Sequence, residues 1–303
     1  MTEPLIQSRH VVKRAAESAP ELPPGFAGHA QGFSRWAAVD HDTPGAVHTG
    51  FGVNHLAPGG SVDRHVHSFE ESFYVMSGAV VVDTVEGSVE LRPGDYGVVP
   101  VGSPHGFRNV GDAEAVWADM LAPQPRPGFV GDTFFVPAGP PAGNVVTVDP
   151  RDPRTRSFGN ITPGSMDPSK QTQDMLAVSA SMRTALLVYS GITVKMMVDS
   201  DLGAHLLTMF MVQYEERGVA GAHDHPLEET YMIEEGSTIA RFDGHEYVLE
   251  PGDVAFAGVG CVHEFSNPGP GIVRWLETQA PQPPARHSYR FSRDWRYLTE
   301  ALD

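Results

Sequence analysis

Apolar residues along this chain come in short runs rich in β-branched side chains, cut at brief intervals by turn residues. Val75 to Val82, Ile233 to Ala240 and part of Val110 to Leu121 have the composition that suits a half-buried pleated surface. Between such runs stand PGG at 58–60, RPGD at 92–95, EPGD at 250–253 and NPGPG at 267–271. A PGD ahead of an apolar run is a turn feeding a strand, so its proline and glycine need no other explanation. Short strands at this spacing predict an all-β chain, built as a sandwich or a barrel.

The pattern occurs twice. HVHSFEESFYVMSG from His65 returns as HDHPLEETYMIEEG from His223, at an offset of 158. The same offset relates Gly60 to Gly218, Gly94 to Gly252, Gly102 to Gly260, His105 to His263 and Asn109 to Asn267. WADMLAPQP from Trp117 likewise matches WLETQAPQP from Trp275. The repeat predicts one unit over 30–128 and a second over 188–286, preceded by an N-terminal arm over 1–29. The Pro/Gly-rich connection over 129–187 is too long for a simple loop and is expected to add a strand to one sheet. Within it QTQDMLAVSASMRTALL, 171–187, predicts a short helix. The tail 287–303 brings Tyr289, Phe291, Trp295 and Leu298 close together, as in an arm or helix packed on a barrel or on a partner subunit.

Composition narrows the function. A chain of 303 residues, 41% hydrophobic, has material for two cores. A net charge of −17 disfavours nucleic acid and anionic membrane surfaces, which both call for clustered Lys and Arg. The single cysteine, Cys261, excludes an intrachain disulfide framework and any multi-Cys zinc site; two residues before His263, it is expected to be a small buried residue in a tight turn, with an activated thiol as the alternative. MTEPLIQSRH holds no apolar signal-peptide core, and no apolar run approaches about 18 residues. We therefore expect a soluble cytoplasmic protein with no membrane span.

The candidate chemistry lies in the repeated histidines. Residues i and i+2 of a strand share a face, so His65 and His67 point the same way, as do Glu71 and Phe73, and His105 and Phe107. If those faces meet inside a barrel, three imidazoles and a carboxylate converge. Burying them without a partner costs several kcal/mol, and a metal supplies the partner. Three neutral nitrogens and one anionic oxygen suit a borderline divalent ion such as Mn, Fe, Co, Ni, Cu or Zn, and leave positions open for a substrate. Glu70 and Glu228 alternate away from the set and are expected to be solvated or to support a ligand from behind.

These residues carry a resemblance. Gly60, His65, His67, Glu71 and Gly78, followed by Gly94, Pro100, Gly102, His105 and Asn109, resemble the two signature motifs of the cupin superfamily, and both motifs return in order in the second half. Gly258 stands where the second copy would have proline, which is a turn position. The resemblance implies a bicupin of two tandem jelly-roll β-barrels with short peripheral helices. It also implies two ligand sets: His65, His67, Glu71 and His105, and His223, His225, Glu229 and His263. Up to two divalent ions per chain follow, with Mn, Fe, Ni and Zn as the expected occupants. Cupins include oxygenases, decarboxylases, isomerases, hydrolases and binding proteins.

The halves differ where substrate would sit. Phe73 corresponds to Tyr231, His55 to Gln213 and Asp119 to Glu277. Polar residues on such apolar strands either orient a ligand histidine or face outward with no such role. The second pocket gains a phenol, so Tyr231 and Glu277 are the candidate catalytic residues and the second barrel the candidate catalytic one. The expected function is a metal-dependent oxygenase of a small oxygenated or aromatic molecule. The alternatives are an O2-independent lyase, decarboxylase, hydrolase or isomerase, in which Tyr231 or a carboxylate moves the proton, and a non-catalytic binding module. Exposed sheets and the aromatic tail suggest a homo-oligomer, most simply a dimer.

Overall fold

The computed structural model describes residues 8–139, 143–167, 190–283 and 290–291. They form two curled sheets, one of eleven strands and one of ten, antiparallel except where Val146–Thr147 joins Ser88–Leu91. These are the two units that the repeat predicts, in the jelly-roll form that the resemblance implies. In each, one long strand is the spine: Gly50–His67 in the first and Thr208–Asp224 in the second. The first spine pairs with Ala115–Ala122 along one end and with His105–Arg108 along the other. Val273–Ala280 and His263–Ser266 do the same for the second.

Each spine slips register just before its first ligand histidine, between Val62 and His65 and between Ala220 and His223. A bulge bends the strand and re-aims the side chains that follow it. The histidines that follow it are the ones whose ring nitrogens converge.

Segments outside the repeat cover matching sheet edges. Phe158–Asn160, from the connection, pairs with Asp95–Val99 of the first sheet. His10–Lys13, from the N-terminal arm, pairs with Val254–Ala257 of the second. Covering an edge satisfies backbone groups that would otherwise template aggregation. The described helices are 3-10 turns, at Ala15–Glu17, Pro127–Asp132, Pro153–Thr155 and Pro163–Met166. The helix expected over 171–187 lies outside the described residues. So does most of the tail, of which the backbone of Arg290–Phe291 pairs with His223 and Asp224. Among the described residues no helix is long and apolar enough to cross a membrane.

Each barrel has its own core, around Phe73, Phe107 and Trp117 in the first and Tyr231, Phe265 and Trp275 in the second. A third core lies between them and joins Phe51 and Met120 to Met209, Met211, Met232 and Leu276. Methionine is the flexible apolar residue that adapts to such a seam.

The seam corrects the expectation for Glu70 and Glu228. Neither is solvated, and neither touches a ligand histidine of its own barrel; both are 1% exposed. Glu228 accepts backbone hydrogen bonds from Val47, His48 and Thr49 of the first barrel, each at 2.9 Å. Glu70 accepts from His205 and Leu206 of the second, each at 2.8 Å. Alternation does turn these carboxylates away from the metal ligands, but the face they turn to is covered by the other barrel.

The motif glycine after each glutamate has a steric reason. Gly78 has φ +68°, and a Cβ there would lie 2.2 Å from the Glu114 carbonyl oxygen; for Gly236 the values are +73° and 2.3 Å from that of Ile272. Gly78→Ala is expected to lose about 2–4 kcal/mol, from the left-handed backbone and the clash together. Urea denaturation measures it, and a loss below about 0.5 kcal/mol would contradict the steric account.

Candidate metal centres

In the first barrel the spine supplies His65 and His67, the strand Glu70–Ser77 supplies Glu71, and His105 opens the strand His105–Arg108. One ligand atom from each lies within 4.8 Å of the other three, and all four residues are buried. The strand faces therefore meet as the alternation requires.

Hydrogen bonds behind the histidines set their protonation. Nδ1 of His65 donates to the Asp63 carbonyl at 2.8 Å, that of His67 to Phe69 at 2.6 Å and that of His105 to Ser103 at 3.0 Å. A carbonyl can only accept, so each Nδ1 carries the ring proton and each Nε2 keeps a lone pair for the centre. Burial, helped by neighbouring His105, pushes His65 down to about 3, so this ring stays neutral. The Glu71 carboxylate lies 3.1 Å from His67 Nε2 and 3.3 Å from His105 Nε2. His105 Nε2 is buried without a hydrogen bond of good geometry. Lone pairs converging at such distances repel unless a cation lies among them. The donor set thus fits a divalent metal ion.

The second barrel repeats the set with a difference. Ligand atoms of His223, His225 and His263 lie within 4.8 Å of one another. Glu229 reaches two of the three, 2.8 Å from His225 Nε2 and 3.2 Å from His263 Nε2. Its carboxylate also accepts hydrogen bonds from the Tyr231 hydroxyl and the Gln279 amide. His223 and His263 donate from Nδ1 to the carbonyls of Gly221, at 2.7 Å, and Cys261, at 3.0 Å. Burial keeps His223 down at about 3, whereas for His225 the adjacent Glu229 overcomes burial and raises the pKa. The Cys261 thiol is pushed up to about 12 by burial, so it stays protonated and inert, while its carbonyl orients His263.

The other paired positions divide. Phe73 and Tyr231 both face their barrel interiors. Glu277 accepts from the Trp275 indole at 2.9 Å, and burial beside Glu229 holds its carboxyl well above the usual range. His55 and Gln213 orient no ligand histidine; they hydrogen-bond to Glu114 and Arg274 on the outer face. Asp119 forms a bidentate pair with Arg35, at 2.6 and 2.8 Å. Sequence reasoning missed Arg35 and Gln279. The signal was a polar residue in an apolar strand: Arg35 interrupts FSRWAAV, and Gln279 stands at the position of Leu121.

The space beside the two sets differs most. A cavity of about 440 Å³ opens onto His65, His67 and Glu71, walled by Phe33, Trp36, Phe107 and Trp117. Beside His223, Glu229 and His263 the cavity is about 60 Å³. Small-molecule sites commonly measure about 300–1,000 Å³, whereas a space of the second size holds roughly two waters.

Two jelly-roll barrels, each with a histidine–glutamate cluster at its mouth, define a bicupin. The cupin domain model matches residues 52–121 and again 210–278, and the chain belongs to the cupin family. Among curated proteins it is similar to protein SchB of Streptomyces halstedii, 38% identical over 113 residues, which are 36% of this chain and 81% of that protein. It is also similar to the tetracenomycin polyketide synthase protein TcmJ of Streptomyces glaucescens, 35% identical over 120 residues, 37% of this chain and 80% of that protein. Among solved structures, oxalate decarboxylase from Bacillus subtilis aligns with 96% of this chain and 82% of its own, at TM-score 0.61 and 16% identity. A variant of the salicylate 1,2-dioxygenase from Pseudoaminobacter salicylatoxidans aligns with 84% and 73%, at TM-score 0.53 and 16% identity. At such identities the structural likeness establishes the fold.

Proposed function

We propose that this chain is a metal-dependent bicupin enzyme acting on a small oxygenated aromatic molecule of the polyketide type, and that substrate binds in the first barrel. The observation that carries the reading is the cavity of about 440 Å³, walled by aromatic side chains and floored by His65, His67 and Glu71. Its size and lining suit one or two fused aromatic rings. The partial likeness to TcmJ, a polyketide synthase protein by name, agrees with that substrate class.

His65, His67, Glu71 and His105 would hold the ion, one of Mn, Fe, Ni or Zn. When bound it would supply a Lewis acid for a phenolate, enolate or carboxylate oxygen. The carbonyls of Asp63, Phe69 and Ser103 keep the three rings in the tautomer that binds. Phe33, Phe107 and Trp117 exclude water from the substrate face. Differences between the halves pointed to Tyr231 and Glu277 for catalysis, but the available space favours the first barrel. We assign the second ion, held by His223, His225, Glu229 and His263, to stabilising its barrel.

Oxygenation is the expected reaction, and an O2-independent lyase, hydrolase or isomerase is the alternative. Protein purified without chelator, given polyphenolic and 1,3-diketone aromatics in an oxygen electrode cell, separates them. Oxygen uptake matched to product formation supports the oxygenase, and equal turnover under argon supports the alternative. No turnover in either atmosphere, with a ligand-induced rise in Tm, would reduce the protein to a binding module.

A further inference from the structure

Three strands of the first barrel bring a second polar group to the same cavity. Arg35 lies on Ala30–Val39 beside Asn54 of the spine, and Asp119 on Ala115–Ala122 lies beside Gly52. Arg35 donates Nε and Nη2 to the two oxygens of Asp119, and Asn54 donates its amide to the same carboxylate at 2.7 Å. Gly52 leaves the trough in which the guanidinium lies, since a Cβ there would stand 2.5 Å from Cζ and 2.6 Å from Nη2. Nη1 has no hydrogen-bond partner among the described residues and is not sealed from solvent. Arg35, Asn54 and Asp119 all line the cavity with His65, His67 and Glu71.

Arginine presents five donors in a rigid fork, so a guanidinium fixed along one edge offers its other edge in a set direction. The floor of the loaded cavity would hold a divalent ion, Glu71, Arg35 and Asp119. Their formal charges leave one positive charge; Glu21 and Asp40 also line the cavity, and Asp40 acts electrostatically on Arg35. At the offset of 158 the corresponding residues are Thr193, Phe210, Val212 and Glu277. The arrangement therefore belongs to the first barrel alone.

We propose that Arg35 is the anion-recognising residue of this cavity, positioned by Asp119, Asn54 and the missing side chain of Gly52, and that it selects flat aromatic monoanions over their neutral analogues. The inference rests on the first barrel being the substrate site. A held guanidinium fits an anionic oxygen of an aromatic acid or phenol, and a neutral amide of the same shape forfeits the charge-assisted bond.

The test is calorimetric titration of 1-naphthoate and 1-naphthamide into metal-loaded and chelator-treated protein, with metal content measured in parallel. The loaded wild type is expected to prefer naphthoate by about tenfold or more, from one charge-assisted hydrogen bond. Arg35→Met is expected to lower the ratio by about tenfold with metal content unchanged, to one in the chelated protein and to the preference that the ion itself gives in the loaded protein. Because that change strands the Asp119 carboxylate, Arg35→Met/Asp119→Met is measured beside it and should give the same ratio. Gly52→Ala, which displaces the guanidinium and leaves its charge, should reduce the preference partway. An undiminished preference in both Arg35 variants would overturn the proposal, as would absence of any preference in the loaded wild type. If the chelated wild type keeps an Arg35-dependent preference while no ion is found in native protein, the anion site stands and the metal-enzyme reading falls. If turnover persists but discrimination ignores Arg35, the reverse holds.

Discussion

His65→Ala is expected to lower the metal content from about two ions per chain to about one and to abolish turnover. His65 contributes one of four buried donors, with its lone pair aimed at the centre by the Asp63 carbonyl. Alanine removes that donor and leaves two imidazoles and a carboxylate. Losing a mere supporting contact to a ligand commonly costs about 10–100-fold in affinity, and losing the ligand costs more. The partner experiment is His223→Ala, which should remove the other ion and leave the cavity of the first barrel able to bind small molecules. Elemental analysis of each variant decides the matter. Two ions retained in His65→Ala would overturn the ligand assignment. If His223→Ala alone abolished turnover, with the protein still folded, chemistry would belong to the second barrel, where Tyr231 and Glu277 lie.

The second large effect is expected at the seam. Glu228→Ala removes an acceptor that satisfies three backbone N–H groups, those of Val47, His48 and Thr49. A donor left buried and unpaired costs about 1–3 kcal/mol; only the Thr49 bond is fully buried and water can reach the Val47 donor, so the total should be about 2–3 kcal/mol. Glu70→Ala strands two donors, His205 and Leu206, and should lose less. Glu228→Gln keeps one carbonyl oxygen to accept and should fall between wild type and Glu228→Ala. Urea denaturation of the three variants gives the order. Were Glu228→Ala no worse than a surface substitution, the two barrels would not be clasped in this way.

Much of this molecule could be read from short stretches of chain. The strands, their turns and the two His-x-His-x3-Glu groups depend on spacings of two to seven residues, which the backbone translates directly into faces and bends, whereas His105 and His263 stand 34 residues further on. His65 and His67 had to share a face once they lay on a strand, and the duplication made the same argument twice. The contrast at Phe73 and Tyr231 was visible as well, since it needs only the offset.

What escaped the sequence depends on which strands become neighbours and on what covers each face. Arg35 and Asp119 are 84 residues apart and meet because both strands pair with the spine. Gln279 meets Glu229 across paired strands 50 residues apart. Glu70 and Glu228 were expected to be solvated or to support a ligand, because alternation reports the face and is silent on whether another domain covers it. The relative size of the two cavities, about 440 and 60 Å³, was equally invisible, because it is set by side chains from several strands at once.

By itself, then, the sequence determined the strands and the duplication, because each follows from local backbone periodicity, and the resemblance carried by its motifs named the two histidine–glutamate clusters. Only the tertiary structure decided which barrel has room for a substrate, where a guanidinium stands in its wall and how two carboxylates lock the halves together. Those features are contacts between segments far apart in the chain, and they exist only once the sheets have curled and packed.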